Sequence, residues 1–236
     1  MDSELESMLD RADELLGDLE DEYQQCLNSQ NITMRAHNLT HEVLEKLRHA
    51  LDHAMGRAWG KYIAPNLLEK DRERAHVYFP ITSNLEYFRS RLGEGRMGDL
   101  DKVHKNLYDF LLSKQPFSAG ENRWLDILTK IAGKGKHVQL IPQKRMETRR
   151  IKVSGRGGSV SWDPSAVKFS NGVSILNAPV DPRTQRIIPT HGVTEQVEIW
   201  VSFIFEGYGV NALGFCKEAC QKTRALIEEM VNVLQL

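Results

Sequence analysis

The 236-residue chain is 41% hydrophobic and 27% charged, a balance that supports a folded core and excludes a wholly disordered protein. Its formal net charge of −1 supplies no global field for nucleic acid or an anionic membrane, so any such attraction must be local. No run of about 18 apolar residues occurs and the opening MDSELESMLDRADELL is acidic, so a cytosolic protein without a membrane partner is expected.

Apolar residues fall at three- and four-residue steps from Leu5 through Leu9, Ala12, Leu15 and Leu19 to Cys26, predicting an amphipathic helix from Asp2 to about Gln30. Its outer face is dense in acids as far as Glu22, a pattern of a solvated face. After Asn28-Ser29-Gln30-Asn31 a second long helix is predicted to run through Leu39, Leu44, Leu51 and Trp59 to about Ile63, antiparallel to the first because the loop is short. A shorter helix at Leu67 to Ala75 and an extended Val77-Tyr78-Phe79-Pro80-Ile81 follow, proline turning the residue before it away from helix. Ser83 reads as an N-cap for a helix around Leu85 to Leu92. Two more helical patterns run from about Leu100 to Ser113 and from Asn122 to Ala132, the second stopped by Gly133.

From Gly133-Lys134-Gly135 the period changes to that of strands. Val193 to Phe205 alternates as a half-buried strand, with Trp200 and Ile204 as exceptions. Asn171-Gly172, between Val167-Lys168-Phe169 and Val173-Ser174-Ile175-Leu176, predicts a type I′ hairpin turn. A helix from about Asn211 to Leu234 closes the chain and is expected to pack back on the first helices. The fold class is therefore α+β, mainly α. One compact domain over 1–236 is expected, with a helical part at 1–133, a β-rich elaboration at 134–210 and a C-terminal helix at 211–236.

Three cysteines, Cys26, Cys216 and Cys220, form no CxxC pair, and Cys216 and Cys220, one helical turn apart, read as core packing. His37 and His41 are also one turn apart but lack a third ligand, and neither metal nor cofactor is expected. Gly155-Arg156-Gly157-Gly158 lacks the Gly-Lys-Ser/Thr ending of a phosphate loop and reads as a turn between strands. The stretch Lys134 to Arg156 is strongly basic, with Lys144, Arg145, Arg149 and Arg150 against Glu147 alone. Such a strand can bind phosphate backbones, and the same cations on a sheet edge also prevent aggregation.

In the second helix lies Arg48-His49-Ala50-Leu51-Asp52-His53. Metal-independent RNA cleavage needs a base, an acid and a cation for the phosphate, roles that histidine and arginine can fill. Residues five apart on a helix are separated by about 140° around the axis, so Arg48 and His53 do not share one line on its surface. A symmetric dimer joining two copies would make a fuller site. Arg48 also stands at i,i+4 from Asp52, the spacing of an ordinary ion pair, and His53 fits a helix-border residue.

The stretch LEKLRHALDHAM resembles the Arg-x4-6-His motif of the HEPN superfamily (higher eukaryotes and prokaryotes nucleotide-binding), with His49 as the residue after the arginine. Phe79-Pro80-Ile81, Gln115-Pro116-Phe117 and Lys136-His137 follow in the order seen in a group of bacterial and phage HEPN-like proteins. The match departs from the fuller Asp-Lys-His-Arg form, because Gly135 precedes Lys136 and Val138 follows His137. The resemblance implies an antiparallel helical bundle, often dimeric. In active members it implies a metal-independent endoribonuclease of defence or toxin systems, with Arg48 on phosphate and His53, aided by His49, exchanging protons. A cognate regulatory protein is a further partner it suggests. The alternative is a non-catalytic module that binds RNA, other nucleic acid or a partner protein, using Lys144, Arg145, Arg149 and Arg150.

Overall fold

The computed structural model describes residues 3–134 and 142–236, so the Lys136-His137 element lies outside the described residues. Among them are eight α-helices and six strands, an α+β fold that is mainly helical. They group into two compact units: Met1–Lys144 with Ile204–Leu236, and Arg145–Phe203.

The helical unit is built on α1 (Ser3–Ser29) and α2 (Met34–Tyr62). Thr33 caps α2 by accepting from Ala36 N at 3.0 Å, while its hydroxyl donates to Glu22 Oε1 at 2.6 Å. Glu22 therefore joins the end of α1 to the start of α2, and His53 near the other end of α2 meets Glu4 at the start of α1, so the two helices are antiparallel. Their facing stripes, including Leu5, Leu19, Leu44, Leu47 and Leu51, are almost fully buried. The last helix, α8 (Ala212–Leu234), lies against both. Lys217 pairs with Glu20 and Arg224 with Asp10 and Asp13, which sets α8 antiparallel to α1. Cys216 and Cys220 are buried in its packed face, and burial pushes the Cys220 thiol up to about 12, so neither is poised as a thiolate.

Between α2 and α8 the chain makes five shorter helices: α3 (Glu69–Arg72), α4 (Leu85–Glu94), α5 (Leu100–Val103), α6 (Lys105–Ser113) and α7 (Arg123–Lys134). Besides α3, which covers only part of the helix expected at Leu67 to Ala75, three boundaries differ from the sequence expectation. The cap of α4 is Asn84 and not Ser83, because Asn84 is the residue whose side chain reaches Tyr87 N, at 2.9 Å. The segment 100–113 is split at His104, which leaves helical geometry at φ −140° and ψ 66°. Helix α7 continues through Gly133 to Lys134, since an interior glycine costs a helix only about 1 kcal/mol.

The β unit contains strands β1 (Gln143–Gly155), β2 (Gly158–Trp162), β3 (Ser174–Ile175), β4 (Ala178–Asp181), β5 (Arg186–Ile187) and β6 (Val193–Phe205), the outer ends of β1 and β6 continuing into the helical unit. They make two antiparallel three-stranded sheets, ordered β2-β1-β6 and β3-β4-β5. A small core of Ile151, Val153, Trp162, Ile175 and Val180 fills this unit, with Phe169 set edge-on against Trp162. The tight hairpin comes one turn later than the sequence suggests. Asn171 does not take positive φ, whereas Leu176 and Asn177 do, at 47° and 67°, and they connect β3 to β4. Leu176 is held in that uncommon conformation while its side chain packs against the core. In β6 the expected half-burial holds at Phe203 and Phe205, but Val197 and Ile199 are 41% and 50% exposed.

Candidate functional site

Two places carry the residues singled out by the sequence. The first is built on α2, where Arg48 and Asp52 stand one turn apart and pair at 2.8 Å. Both work on the backbone of one residue in the extended strap after α3. Phe79 N donates to Asp52 Oδ1 at 2.9 Å, and Arg48 Nη2 donates to Phe79 O at 2.8 Å. An extended, proline-containing segment inside a helical bundle has no strand neighbour, so side chains must satisfy its peptide groups. Gln115, fully buried at the end of α6, continues the pattern: its Nε2 donates to Pro80 O at 2.6 Å, and its Oε1 accepts from Thr82 N at 3.1 Å. Of the ordered sequence elements, the α2 motif, Phe79-Pro80-Ile81 and Gln115 thus meet at one strap, which α2 and Gln115 fasten from two sides.

A cleft of about 140 Å³ opens beside this fastening, lined by Arg48, His49, Asp52, Tyr78, Thr129 and their neighbours. Arg48 Nη1 and Thr129 Oγ1 are buried there without a hydrogen-bond partner among the described residues. Burial holds the Arg48 guanidinium below its ordinary pKa, against the opposing pull of Asp52. A ligand oxygen at this point would find a donor in Arg48 and a hydroxyl in Thr129, with the exposed His49 at the edge.

His53 is placed elsewhere. Its Nε2 lies 3.4 Å from Glu4 Oε2 on α1, and its Nδ1 is buried without a hydrogen-bond partner among the described residues. It does not line the Arg48 cleft, so a single chain gathers Arg48 with His49 and not with His53. The angular separation on α2 accounts for this, one side chain facing the strap and α7 and the other facing α1.

The second place is β1. Residues 144–150 are exposed at every position, on both faces of the strand, before burial resumes at Ile151. Pairing with β2 begins only at Ile151, so this outer half has no β2 neighbour. Lys144 is the last residue of the helical unit, and Arg145, Arg149 and Arg150 belong to the β unit. Alternation sets Arg145, Glu147 and Arg149 on one face, where Glu147 pairs with Arg145 and lies 3.5 Å from Arg149. The Arg145 hydrogen bond holds the Glu147 carboxyl below the usual carboxylate range, so it remains charged and offsets part of the basic run.

One buried polar group was invisible in the sequence. Gln143, at the first position of β1, accepts from Tyr23 and donates through Nε2 to Thr40 Oγ1 at 3.1 Å, tying the root of the strand to α1 and α2. The nearest signal was a glutamine opening an otherwise basic run, which has no specificity by itself. Among the described residues no group of three or more His, Cys, Asp or Glu side chains is placed to hold a metal, and His37 and His41 make no such set. Among the described residues no helix is long and apolar enough to cross a membrane. Comparison with protein-family models, with curated proteins and with solved structures found no match for the chain.

Proposed function

We propose that this chain binds nucleic acid through the phosphate backbone, using the outer half of β1, and that its helical unit is a HEPN-like bundle. The observation that carries the reading is the run of seven consecutive exposed residues, 144–150, holding four cations and one carboxylate. Exposed cations are open to a phosphate backbone, and the counterion release that follows is the usual driving force for sequence-independent binding. Arg145, Arg149 and Arg150 add the planar fork suited to phosphate oxygens. Anisotropy titration with labelled single-stranded RNA and duplex DNA tests it. Steeply salt-dependent binding that the Lys144, Arg145, Arg149 and Arg150→Ala variant strongly weakens is expected, and no binding by the unaltered chain at about 50 mM salt would refute the reading.

A second reading, metal-independent RNA cleavage, is favoured by the unpartnered Arg48 Nη1 beside His49 in the α2 cleft. Arg48 would hold phosphate there and His49 would exchange protons, with His53 supplied by another copy of the chain. It predicts EDTA-resistant cleavage leaving 2′,3′-cyclic phosphate ends, lost in His49→Ala or His53→Ala. Equal cutting by both variants, or intact RNA across a broad substrate panel, would dismiss it.

A further inference from the structure

Three loops of the β unit meet around a cleft of about 310 Å³ that neither reading above uses. They are the β1–β2 turn at Arg156-Gly157, the β3–β4 turn at Leu176-Asn177 and the segment Thr190 to Gly192 leading into β6. Its volume sits at the lower end of the range of small-molecule sites, about 300 to 1,000 Å³.

The lining is chemically one-sided. Arg156 and His191 are exposed at its rim, and no carboxylate lines it. Among the described residues, neither of these two side chains is held by a hydrogen bond or ion pair. Glycines 155, 157 and 192 leave much of the surface as bare backbone. A Cβ on Gly155 would stand 3.4 Å from Gly192 O, an ordinary van der Waals contact, so the strand and the 190–192 segment lie close together along this wall. Gly192 itself takes φ +76°, which favours glycine there. Leu176 and Val193 supply an apolar side. Two cationic or protonatable groups, bare backbone and an apolar side together match an anionic group attached to a small organic body.

We infer that this cleft binds a phosphomonoester on a body of nucleoside size, its phosphate at Arg156 and His191 and its sugar or base against Leu176 and Val193. The source is either a free nucleotide or the phosphorylated end of a nucleic-acid strand. The inference goes beyond the backbone-binding role of 144–150 and stands if that role fails.

Isothermal titration calorimetry of the full chain with adenosine 5′-monophosphate, adenosine and inorganic phosphate tests it. The monophosphate should bind with a Kd below about 1 mM, with adenosine and inorganic phosphate each at least roughly tenfold weaker. Arg156→Ala and His191→Ala should each weaken the monophosphate about tenfold or more with unchanged thermal melting, as expected for exposed positions. A second arm compares 5′-phosphorylated with 5′-hydroxyl oligonucleotides. A gain on phosphorylation that Arg156→Ala removes assigns the strand end as source, and binding of the monophosphate without such a gain assigns the free nucleotide. Absence of binding by both the monophosphate and the phosphorylated end, adenosine binding as tightly as its monophosphate, or full binding by the Arg156→Ala, His191→Ala double variant would overturn the inference. The quadruple variant at 144–150 should keep monophosphate binding, which separates failure of this site from failure of the strand.

Discussion

Arg48 on α2 and Arg149 on β1 are the same side chain under opposite conditions. The Arg48 side chain is 16% exposed, paired with Asp52 and hydrogen-bonded to Phe79 O, while that of Arg149 is 61% exposed and meets only the edge of Glu147 at 3.5 Å. A guanidinium whose partners are already intramolecular gives up structure when it turns to a ligand, whereas one in solvent gives up only counterions. The sequence motif that most resembles a catalytic signature therefore sits where the fold depends on it, and the less distinctive basic run sits where a partner can reach it.

The largest effect should come from Arg48→Ala. It removes the cation paired with Asp52 and leaves Phe79 O without its donor, at a cost of about 3 kcal/mol in urea unfolding. A loss below roughly 1 kcal/mol would show that Arg48 is spare for ligand after all. Next, Lys144, Arg145, Arg149 and Arg150→Ala should weaken RNA binding about 100-fold at moderate salt and leave the unfolding midpoint nearly unchanged, as read by anisotropy and by thermal melting. Gln115→Ala should destabilise by about 2 kcal/mol, because Pro80 O and Thr82 N both lose a buried partner. His53→Ala should cost less than about 1 kcal/mol, its contact being with a Glu4 side chain that is 69% exposed. The smallest change is expected of Glu147→Gln, which releases Arg145 and Arg149 and should tighten RNA binding roughly threefold at low salt. Weaker binding by that variant would mean that Glu147 organises the arginines and does not compete with phosphate. Since the Arg145 hydrogen bond depresses the Glu147 pKa, the carboxylate stays ionised to pH values below the usual carboxylate range, and its neutralisation should tighten binding only as pH falls through that lowered value.

The long helices were legible because their apolar stripes repeat at helical spacing over many turns, and Leu5 to Cys26 and Leu39 to Met55 are buried as that spacing requires. Strand β6 was equally plain from its alternation, though not the exposure of Val197 and Ile199, because period alone does not say whether anything covers a face. The hairpin was misplaced because Asn-Gly is the commoner bearer of two positive φ angles, and Leu176 reaches one only through packing. At α2 the Arg48–Asp52 pair was readable from i,i+4 spacing. Their hold on Phe79 was not, since it joins residues 27 and 31 positions apart. The cleft with Thr129 and the contact of His53 with Glu4 are likewise products of helix packing.

The central claim is that the exposed cations of β1 carry the nucleic-acid contact. It is tested most directly by measuring RNA affinity against salt, from about 50 to about 300 mM, for the unaltered chain and the quadruple variant. The account predicts a log–log slope smaller by about 3 in the variant, with both proteins melting alike. Equal slopes, or no RNA binding by the unaltered chain at the lowest salt, would contradict it.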